Sequence, residues 1–316
     1  MLLRSTILAL CMTIPMMAQT TVIQPSSTPT TQSALSSAIT AETRTFALNS
    51  GGRLKIKANG AIDIKISAWD KNEVALTPNF TPRGYRGHKG AYGAYPKIKV
   101  KSKANSLKLI VKYPEIINER GICQMELQVP EHITCSIKTF NGSITLNGNG
   151  INGKIKAKAF NGDLVFNEVN GEVKAKIVNG DITLKNTNGN INARTFNGSI
   201  SGNSQNVLEN LNVRTWNGDI DFNLANPGGA FKAYTGDGNI KIETPWAKDI
   251  EIKQTKKVKK RKFSEGGTVI VNGEVVSKPS SVTTRITVTR ETAEGNIGSG
   301  NARMNFKTRN GSIVIQ

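Results

Sequence analysis

Apolar and polar residues alternate in short stretches along most of the chain, from about residue 42 onward. RLKIKAN, AIDIKIS and TTRITVTR are typical, and Gly-Gly or Asn-Gly pairs separate many of these stretches. Alternation with period two is the pattern of a strand with one buried face, and Gly and Asn residues favour turns. Because no stretch shows a helical period, the sequence predicts an all-β protein.

The dipeptide Asn-Gly recurs through the centre of the chain with a regular step. From Asn152 to Asn197 it returns every nine residues, and the flanking residues alternate, so the full period is eighteen residues. Asn-Gly is also a hairpin signal, so an antiparallel meander is the competing interpretation. Residue types persist at the step of eighteen, as parallel stacking would require. The pattern therefore favours a β-solenoid, a stack similar to a single-stranded β-helix with two strands in each coil of about 18 residues.

Three kinds of position recur in the aligned units. Apolar residues line an interior, and we place the column Phe140, Phe160, Val178, Phe196 and Trp216 with them. The asparagines before glycine are expected to form a structural ladder of side-chain amides at one corner; they are Asn141, Asn161, Asn179, Asn197 and Asn217.

A column of basic residues points outward between these positions. It is a candidate ligand-binding stripe for a linear polyanion, or else a solvated face that prevents edge-to-edge association. Its members, called the basic column below, are Lys138, Lys158, Lys176, Arg194 and Arg214.

The N-terminal segment resembles an export signal. Residues 1–18 contain Arg4, an apolar run and a small residue, Ala18, which predicts a signal peptide. Residues 19–41 are rich in Ser, Thr, Gln and Pro and predict a disordered linker. The β domain is expected over 42–316. Within it we expect an N-terminal strand region at 42–131, regular repeats at 132–224 and a C-terminal strand region at 228–316, with no transmembrane segment after signal cleavage.

Two cysteines remain beyond the predicted signal peptide, Cys123 and Cys135. Both occur in strand-like stretches. In an oxidising compartment they could form a disulfide if their strands are neighbours, and otherwise they are buried free thiols. The sequence leaves both alternatives open.

The formal net charge is +19, and removal of Arg4 with the signal peptide leaves +18. A field of that sign attracts polyanions. For an exported chain these are anionic polysaccharides and other envelope polymers, and nucleic acid is not expected as a partner. The Gly/Tyr/Arg segment at 81–96 predicts a long surface loop. The basic run at 253–262 suggests either docking on an anionic surface or a solvated, disordered insertion.

Catalytic and metal-binding patterns are sparse. The sequence contains two histidines, no nucleophile or metalloprotease motif, and no paired carboxylates. The repeats resemble calcium-binding β-rolls in period, but their aspartate column (Asp163, Asp181 and Asp219) is broken by Ser143 and Ser199. We therefore expect no catalytic residues, no metal site and no cofactor. A carbohydrate-active enzyme is the least favoured alternative.

Two strings carry a resemblance to a known family: VPEHITCSIKTFNGSITL with its following NG-[KE]-[IV]-K-A-K repeats, and the earlier NGAIDIKISAWDKNEVAL. They resemble a bacterial family of candidate adhesins without an assigned function, and the chain is also similar to the head domain of autotransporter adhesins. The resemblance covers about residues 42–316. It implies a solenoid-like β fold and export to the periplasm or cell surface, and offers no catalytic motif.

The sequence as a whole predicts an exported, non-catalytic adhesion or binding module of the bacterial cell envelope. Its basic face is expected to bind an anionic polymer. The alternative is an envelope scaffold that acts through a protein partner and has no glycan ligand.

Overall fold

A computed structural model describes residues 20–23, 39–40, 42–81, 96–112, 122–148, 151–224, 229–237, 239–243, 247–263, 269–271, 274–276, 282–297 and 301–316. The predicted signal peptide at 1–18 and most of the 81–96 loop lie outside these residues. Two short strands occur inside the range predicted as linker, at Thr20–Ile23 and Ile39–Thr40.

The described residues form 27 strands. Before the repeats they are β1 (Thr20–Ile23), β2 (Ile39–Thr40), β3 (Arg44–Ala47), β4 (Gly52–Asn59), β5 (Ile62–Trp69), β6 (Glu73–Thr81), β7 (Lys97–Lys103), β8 (Ser106–Lys112) and β9 (Ile122–Pro130). In the repeats they are β10 (His132–Lys138), β11 (Ile144–Asn147), β12 (Asn152–Lys158), β13 (Leu164–Asn167), β14 (Asn170–Lys176), β15 (Ile182–Lys185), β16 (Asn188–Arg194), β17 (Ile200–Ser204), β18 (Val207–Arg214) and β19 (Ile220–Leu224). After the repeats they are β20 (Gly229–Asp237), β21 (Ile240–Ile242), β22 (Ala247–Phe263), β23 (Val269–Val271), β24 (Glu274–Val276), β25 (Val282–Ile297), β26 (Ala302–Asn310) and β27 (Ile313–Ile315).

Each coil of the repeat contributes one strand to each of two sheets. The first sheet runs β1-β7-β8-β4-β10-β12-β14-β16-β18-β26-β20-β25-β22, and the second runs β2-β6-β9-β5-β11-β13-β15-β17-β19-β27-β21, with β3 beside β6. Successive repeat strands pair in parallel, for example β12 with β14 and β13 with β15. The predicted all-β solenoid with two strands per coil is therefore confirmed.

The order of coils differs from the order of the chain at both ends of the stack. The coil β4–β5 lies between β8–β9 and the first repeat coil. Similarly, β26–β27 lies directly after the last repeat coil and separates it from β20–β21. Strand β26 can take this place because it ends at Asn310, and the pair Asn310-Gly311 continues the repeat corner.

The core lies between the two sheets and consists of the inward residues of every coil. The predicted apolar columns are buried, and they include Ile155, Val173, Ile191, Leu211, Ala157, Ala175, Ala193, Val213, Leu164, Ile182, Ile200 and Ile220. Large residues fill the centre, among them Phe166, Phe222 and Phe306. Parallel stacking places like residues on like in the core, which is why column identity persists along the sequence.

Both cysteines are buried free thiols. Of the two alternatives left open by the sequence, the disulfide is therefore wrong. Cys123 lies in β9 of the second sheet, whereas Cys135 lies in β10 of the first. The coil β4–β5 separates their coils, so they are about 10 Å apart along the stack before the distance between the sheets is added. A disulfide requires Cα atoms within about 7 Å.

The basic run at 253–262 has a regular backbone. It lies within β22, which pairs antiparallel with β25 from Ala247 to Phe263. The interpretation of this run as a disordered insertion is therefore wrong for the backbone, because the run forms a regular antiparallel ladder with β25.

Candidate anion-binding face

The corner that follows β10, β12, β14, β16 and β18 positions the candidate site. The predicted Asn ladder is present there: Asn161 donates from Nδ2 to Oδ1 of Asn141 at 2.7 Å, and the pattern repeats up the stack at 2.7–2.8 Å. Asn310 extends the ladder by one coil, donating to Asn217 at 2.6 Å. The ladder keeps successive corners in register, so the residues just before it are also aligned.

A second ladder explains the residue that follows each Asn-Gly corner. The side chain of Asp or Ser accepts a hydrogen bond from the backbone N–H at the same position of the next coil, as between Asp163 Oδ1 and Asp181 N at 2.9 Å. Ser199 Oγ likewise accepts from Asp219 N at 3.2 Å. This Asp/Ser ladder consists of Asp63, Ser143, Asp163, Asp181, Ser199, Asp219 and Ser312. Either Asp or Ser can occupy this position because each side chain supplies the hydrogen-bond acceptor.

We expect the stability of the Asp/Ser ladder to depend on the presence of a hydrogen-bond acceptor and not on the charge of the side chain. Asp181→Ala removes the acceptor for Ser199 N, which lies 2.7 Å from Asp181 Oδ1. The free energy of unfolding should fall by about 1 kcal/mol, the usual value of such a bond. Asp181→Ser should restore most of this loss in denaturant titrations. A serine variant as unstable as the alanine variant would contradict the assignment.

The basic column is continuous in the structure. Backbone pairing places Lys138 beside Lys158, Lys158 beside Lys176, Lys176 beside Arg194 and Arg194 beside Arg214. Strands in a sheet are about 4.8 Å apart, so the column presents one positive charge per coil at that step.

The column extends further than the sequence prediction. Lys57 pairs with Lys138 at one end, and Lys307 pairs with Arg214 at the other. Lys307 could have been found from the sequence, because it precedes Asn310-Gly311 by the same three residues that separate Lys158 from Asn161. Lys57 lacks that spacing and is placed only by the pairing of β4 with β10.

Positive charge is concentrated on the outer face of the first sheet. Outward lysines on neighbouring strands lie beside the basic column, including Lys55, Lys101, Lys108, Lys154, Lys156 and Lys174. Glu172 is an acid on this face, and it is paired with Lys174 and with Lys154, 3.4 Å away. By contrast, the charged residues on β5, β9, β11, β13, β15, β17 and β19 of the second sheet are mixed in sign: Asp63, Lys65, Glu126, Lys185 and Asp221.

The lysines of this face affect one another's ionisation. Lys156, partial desolvation, Lys138 and Lys176 together lower the pKa of the Lys158 ammonium. The pKa of Lys108 is also lowered, mainly by desolvation and to a smaller extent by the charges of Lys57, Lys55 and Lys101. Like charges this close destabilise one another, and a bound anion would relieve that repulsion.

Each arginine of the basic column donates a hydrogen bond to an asparagine of its own strand. Arg194 Nε donates to Asn192 Oδ1 at 3.0 Å, and Arg214 Nε donates to Asn212 Oδ1 at 2.8 Å. Each asparagine lies two residues earlier on the same strand face. A guanidinium held in one orientation loses less entropy when it binds a carboxylate or phosphate.

The aromatic column does not line the interior, and the sequence interpretation is wrong on this point. Four of its members are exposed, with 42–50% of their surface accessible: Phe140, Phe160, Phe196 and Trp216. Strand alternation continues to the corner, so the buried residues are those between the basic and aromatic columns: Thr139, Ala159, Ile177, Thr195 and Thr215. Each aromatic residue follows a basic one by two positions and therefore shares its outward face.

The exposed rings stack on each other along the coil axis. Phe140 and Phe160 have ring centroids 5.1 Å apart with planes 5° apart, and Phe196 and Trp216 are 5.5 Å apart with planes at 14°. The Arg309 guanidinium covers Trp216 at 4.3 Å. We refer to Phe140, Phe160, Val178, Phe196 and Trp216 as the aromatic column.

Among the described residues, no group of three or more His, Cys, Asp or Glu side chains is placed to hold a metal ion. The described part of the chain likewise contains no helix that could cross a membrane.

Two stacked sheets of mainly parallel strands, joined at one corner of each coil by Asn-Gly pairs with ladders of polar side chains, define a β-solenoid of the toastrack class. The chain belongs to the family Toastrack DUF4097, whose model matches residues 12–272. No curated protein matches the sequence significantly.

The chain is also similar to solved structures from several bacteria. A candidate cell adhesion protein of Clostridium sporogenes is 14% identical, with 88% of this chain and 99% of that chain covered and a TM-score of 0.32. A candidate adhesin of Bacteroides fragilis is 10% identical, with 89% and 97% covered and a TM-score of 0.30. A candidate adhesin of Parabacteroides merdae is 11% identical, with 63% and 87% covered and a TM-score of 0.26.

Proposed function

We propose that this protein is an exported, non-catalytic binding module of the bacterial cell envelope, and that the outer face of its first sheet binds linear anionic polymers. The signal-like segment at 1–18 supports export. The partner would be an anionic polysaccharide or another polyanion of the envelope.

The basic column is the observation that carries the proposal. Six consecutive strand pairings place Lys57, Lys138, Lys158, Lys176, Arg194, Arg214 and Lys307 in one line. A soluble face needs charge, but it does not need charge of one sign in a straight line. The second sheet has mixed charges on strands of the same solenoid, so the fold itself does not impose the basic line.

Binding to such a face is mainly electrostatic. Each contact between an exposed ammonium and an anion contributes about 0.2–1 kcal/mol and is screened by salt. Affinity therefore comes from many contacts along the polymer, and short oligomers should bind weakly.

Polyanion binding can be tested with paired variants. We expect Lys158→Gln with Lys176→Gln to weaken the binding of polygalacturonate and of polyphosphate about tenfold at low salt. The matched control is Lys65→Gln with Lys185→Gln, which removes the same charge from the second sheet and should leave binding unchanged. Biolayer interferometry over a salt series measures both affinity and its salt dependence.

Equal losses in the two double variants would show that net charge, not the basic column, attracts the polymer. Absence of binding to either polymer would overturn the proposed function. It would then favour the alternative, an envelope scaffold that works through a protein partner, which crosslinking in intact cells would identify.

A further inference from the structure

The aromatic column has a gap at its centre. Its rings form two stacked pairs, Phe140 with Phe160 and Phe196 with Trp216, and Val178 lies between the pairs. Backbone bridges connect Asn161 to Asn179 and Asn179 to Asn197, so Phe160, Val178 and Phe196 occupy the same position of three successive coils. The column therefore lacks one ring.

The gap has the width of one ring. Phe160 and Phe196 are two coils apart, which is about 9.6 Å along the stack. A ring inserted above Val178 would lie about 5 Å from each phenylalanine, close to the 5.1 and 5.5 Å centroid distances within the two stacked pairs. This distance lies within the range in which stacked rings attract one another.

Positive charge lies along one edge of the gap. Lys158, Lys176 and Arg194 each lie two residues before Phe160, Val178 and Phe196 on the same outward face. Arg194 is oriented by Asn192, 3.0 Å away. A ring that enters the gap and carries an acid would therefore bring that acid next to these cations.

We propose that the gap between Phe160 and Phe196 binds one sugar ring of a linear uronic acid polysaccharide, whose carboxylates contact Lys158, Lys176 and Arg194. The apolar C–H face of a pyranose ring packs on aromatic faces, and its carboxylate lies at the rim of the ring. This proposal rests on the proposed function and names the chemical class of the polymer.

The extent of the two columns favours a glycan over other occupants. The gap takes a single ring, and the basic column continues on either side of it over the coils from β10 to β18, so a linear polymer can place one ring in the gap while the acids of its other units contact the column. A second copy of this chain would bring two basic faces together and is disfavoured by repulsion. An acidic peptide with an aromatic side chain could also fill the gap, and a Glu/Tyr copolymer distinguishes this occupant from a glycan.

The test completes the column. Val178→Phe fills the gap with a ring that Phe160 and Phe196 show the corner can carry, so the variant should fold and gain stability from stacking. It should bind polygalacturonate about tenfold more weakly than the native protein, because the sugar loses two stacking faces. Val178→Ala leaves the gap open and serves as the matched control, with unchanged binding.

Three probes are compared by biolayer interferometry with the full chain: polygalacturonate, polyphosphate and a Glu/Tyr copolymer. The proposal is supported if Val178→Phe weakens polygalacturonate alone. It is overturned if the variant binds polygalacturonate with native affinity, or if it also loses affinity for polyphosphate, which has no ring. It is likewise overturned if the native protein binds the Glu/Tyr copolymer more tightly than polygalacturonate and Val178→Phe weakens the binding of that copolymer.

Failure of this inference differs from failure of the proposed function. If Lys158→Gln with Lys176→Gln weakens both polyanions while Val178→Phe weakens neither, the basic face binds polyanions and the gap plays no part. If the native protein binds neither polyanion, both proposals are wrong.

Discussion

Gly180→Ala is expected to lower the free energy of unfolding by about 4 kcal/mol or more, or to prevent folding. Gly180 has φ of +138°, a region that residues with a Cβ rarely adopt. A Cβ atom at this position would also lie 1.7 Å from the carbonyl oxygen of Gly162 in the preceding coil. That oxygen is backbone within a stacked corner, so it cannot move without breaking the register of several coils.

Gly51→Ala is the matched control for this prediction. Gly51 also has positive φ, at +77°, but nothing lies within 4 Å of the position of its Cβ. Its replacement should cost only the backbone strain of about 1–2 kcal/mol. Denaturant titrations followed by circular dichroism give both values. Equal losses would show that conformation alone, and not the approach of successive coils, requires glycine at the repeat corner.

The second large effect concerns the two buried thiols. Burial, with a smaller effect of the Asp63 charge, raises the pKa of Cys123 from 9.0 to about 12, and burial alone raises the pKa of Cys135 to about 12. The thiolate is the reactive form of cysteine. We therefore expect neither thiol to react with maleimide at pH 8 in the folded protein, and both to react when the chain is unfolded. Peptide mapping by mass spectrometry measures this, and a crosslinked peptide joining Cys123 to Cys135 would contradict it.

The raised pKa values also make stability depend on alkaline pH. In the unfolded chain the thiols ionise as the pH rises through 9, whereas in the folded chain they stay protonated until about pH 12. Their contribution is complete below pH 9 and is lost between pH 9 and 12, on the order of 1 kcal/mol per thiol by pH 10. Cys123→Ala with Cys135→Ala should remove this slope while lysine titration stays the same in both proteins. Parallel stability curves for the two proteins would show that the thiols are not shielded from water.

The aromatic column is where the sequence prediction is wrong, because residue type and strand position indicate opposite faces there. Phe and Trp side chains are usually buried, so a repeated aromatic position was assigned to the core. The spacing indicates an outward position instead, since Phe160 follows Lys158 by two residues and Trp216 follows Arg214 by two. Alternation that continues into the corner turns these rings outward and buries small residues such as Thr195 and Thr215 instead.

The Asp/Ser ladder is only partly predictable from the sequence. Its break at Ser143 and Ser199 argued against a calcium site, but its structural role depends on a contact between coils that no local pattern shows. Asp181 Oδ1 reaches Ser199 N only when the coils stack in parallel with matched corners. Once stacking is known, the interchange of Asp and Ser has a direct explanation.

The sequence by itself determined the repeat, the parallel stack of two-stranded coils, the inward apolar columns, the Asn ladder and the alignment of the basic column. These features depend on spacing along the chain, and in a solenoid equal spacing becomes contact between neighbouring coils. The tertiary structure alone decided the order of the terminal coils, in which β4–β5 and β26–β27 join the repeat. It also decided the separation of Cys123 from Cys135 and the gap at Val178, because each of these depends on which coils become neighbours and on which face is exposed to solvent.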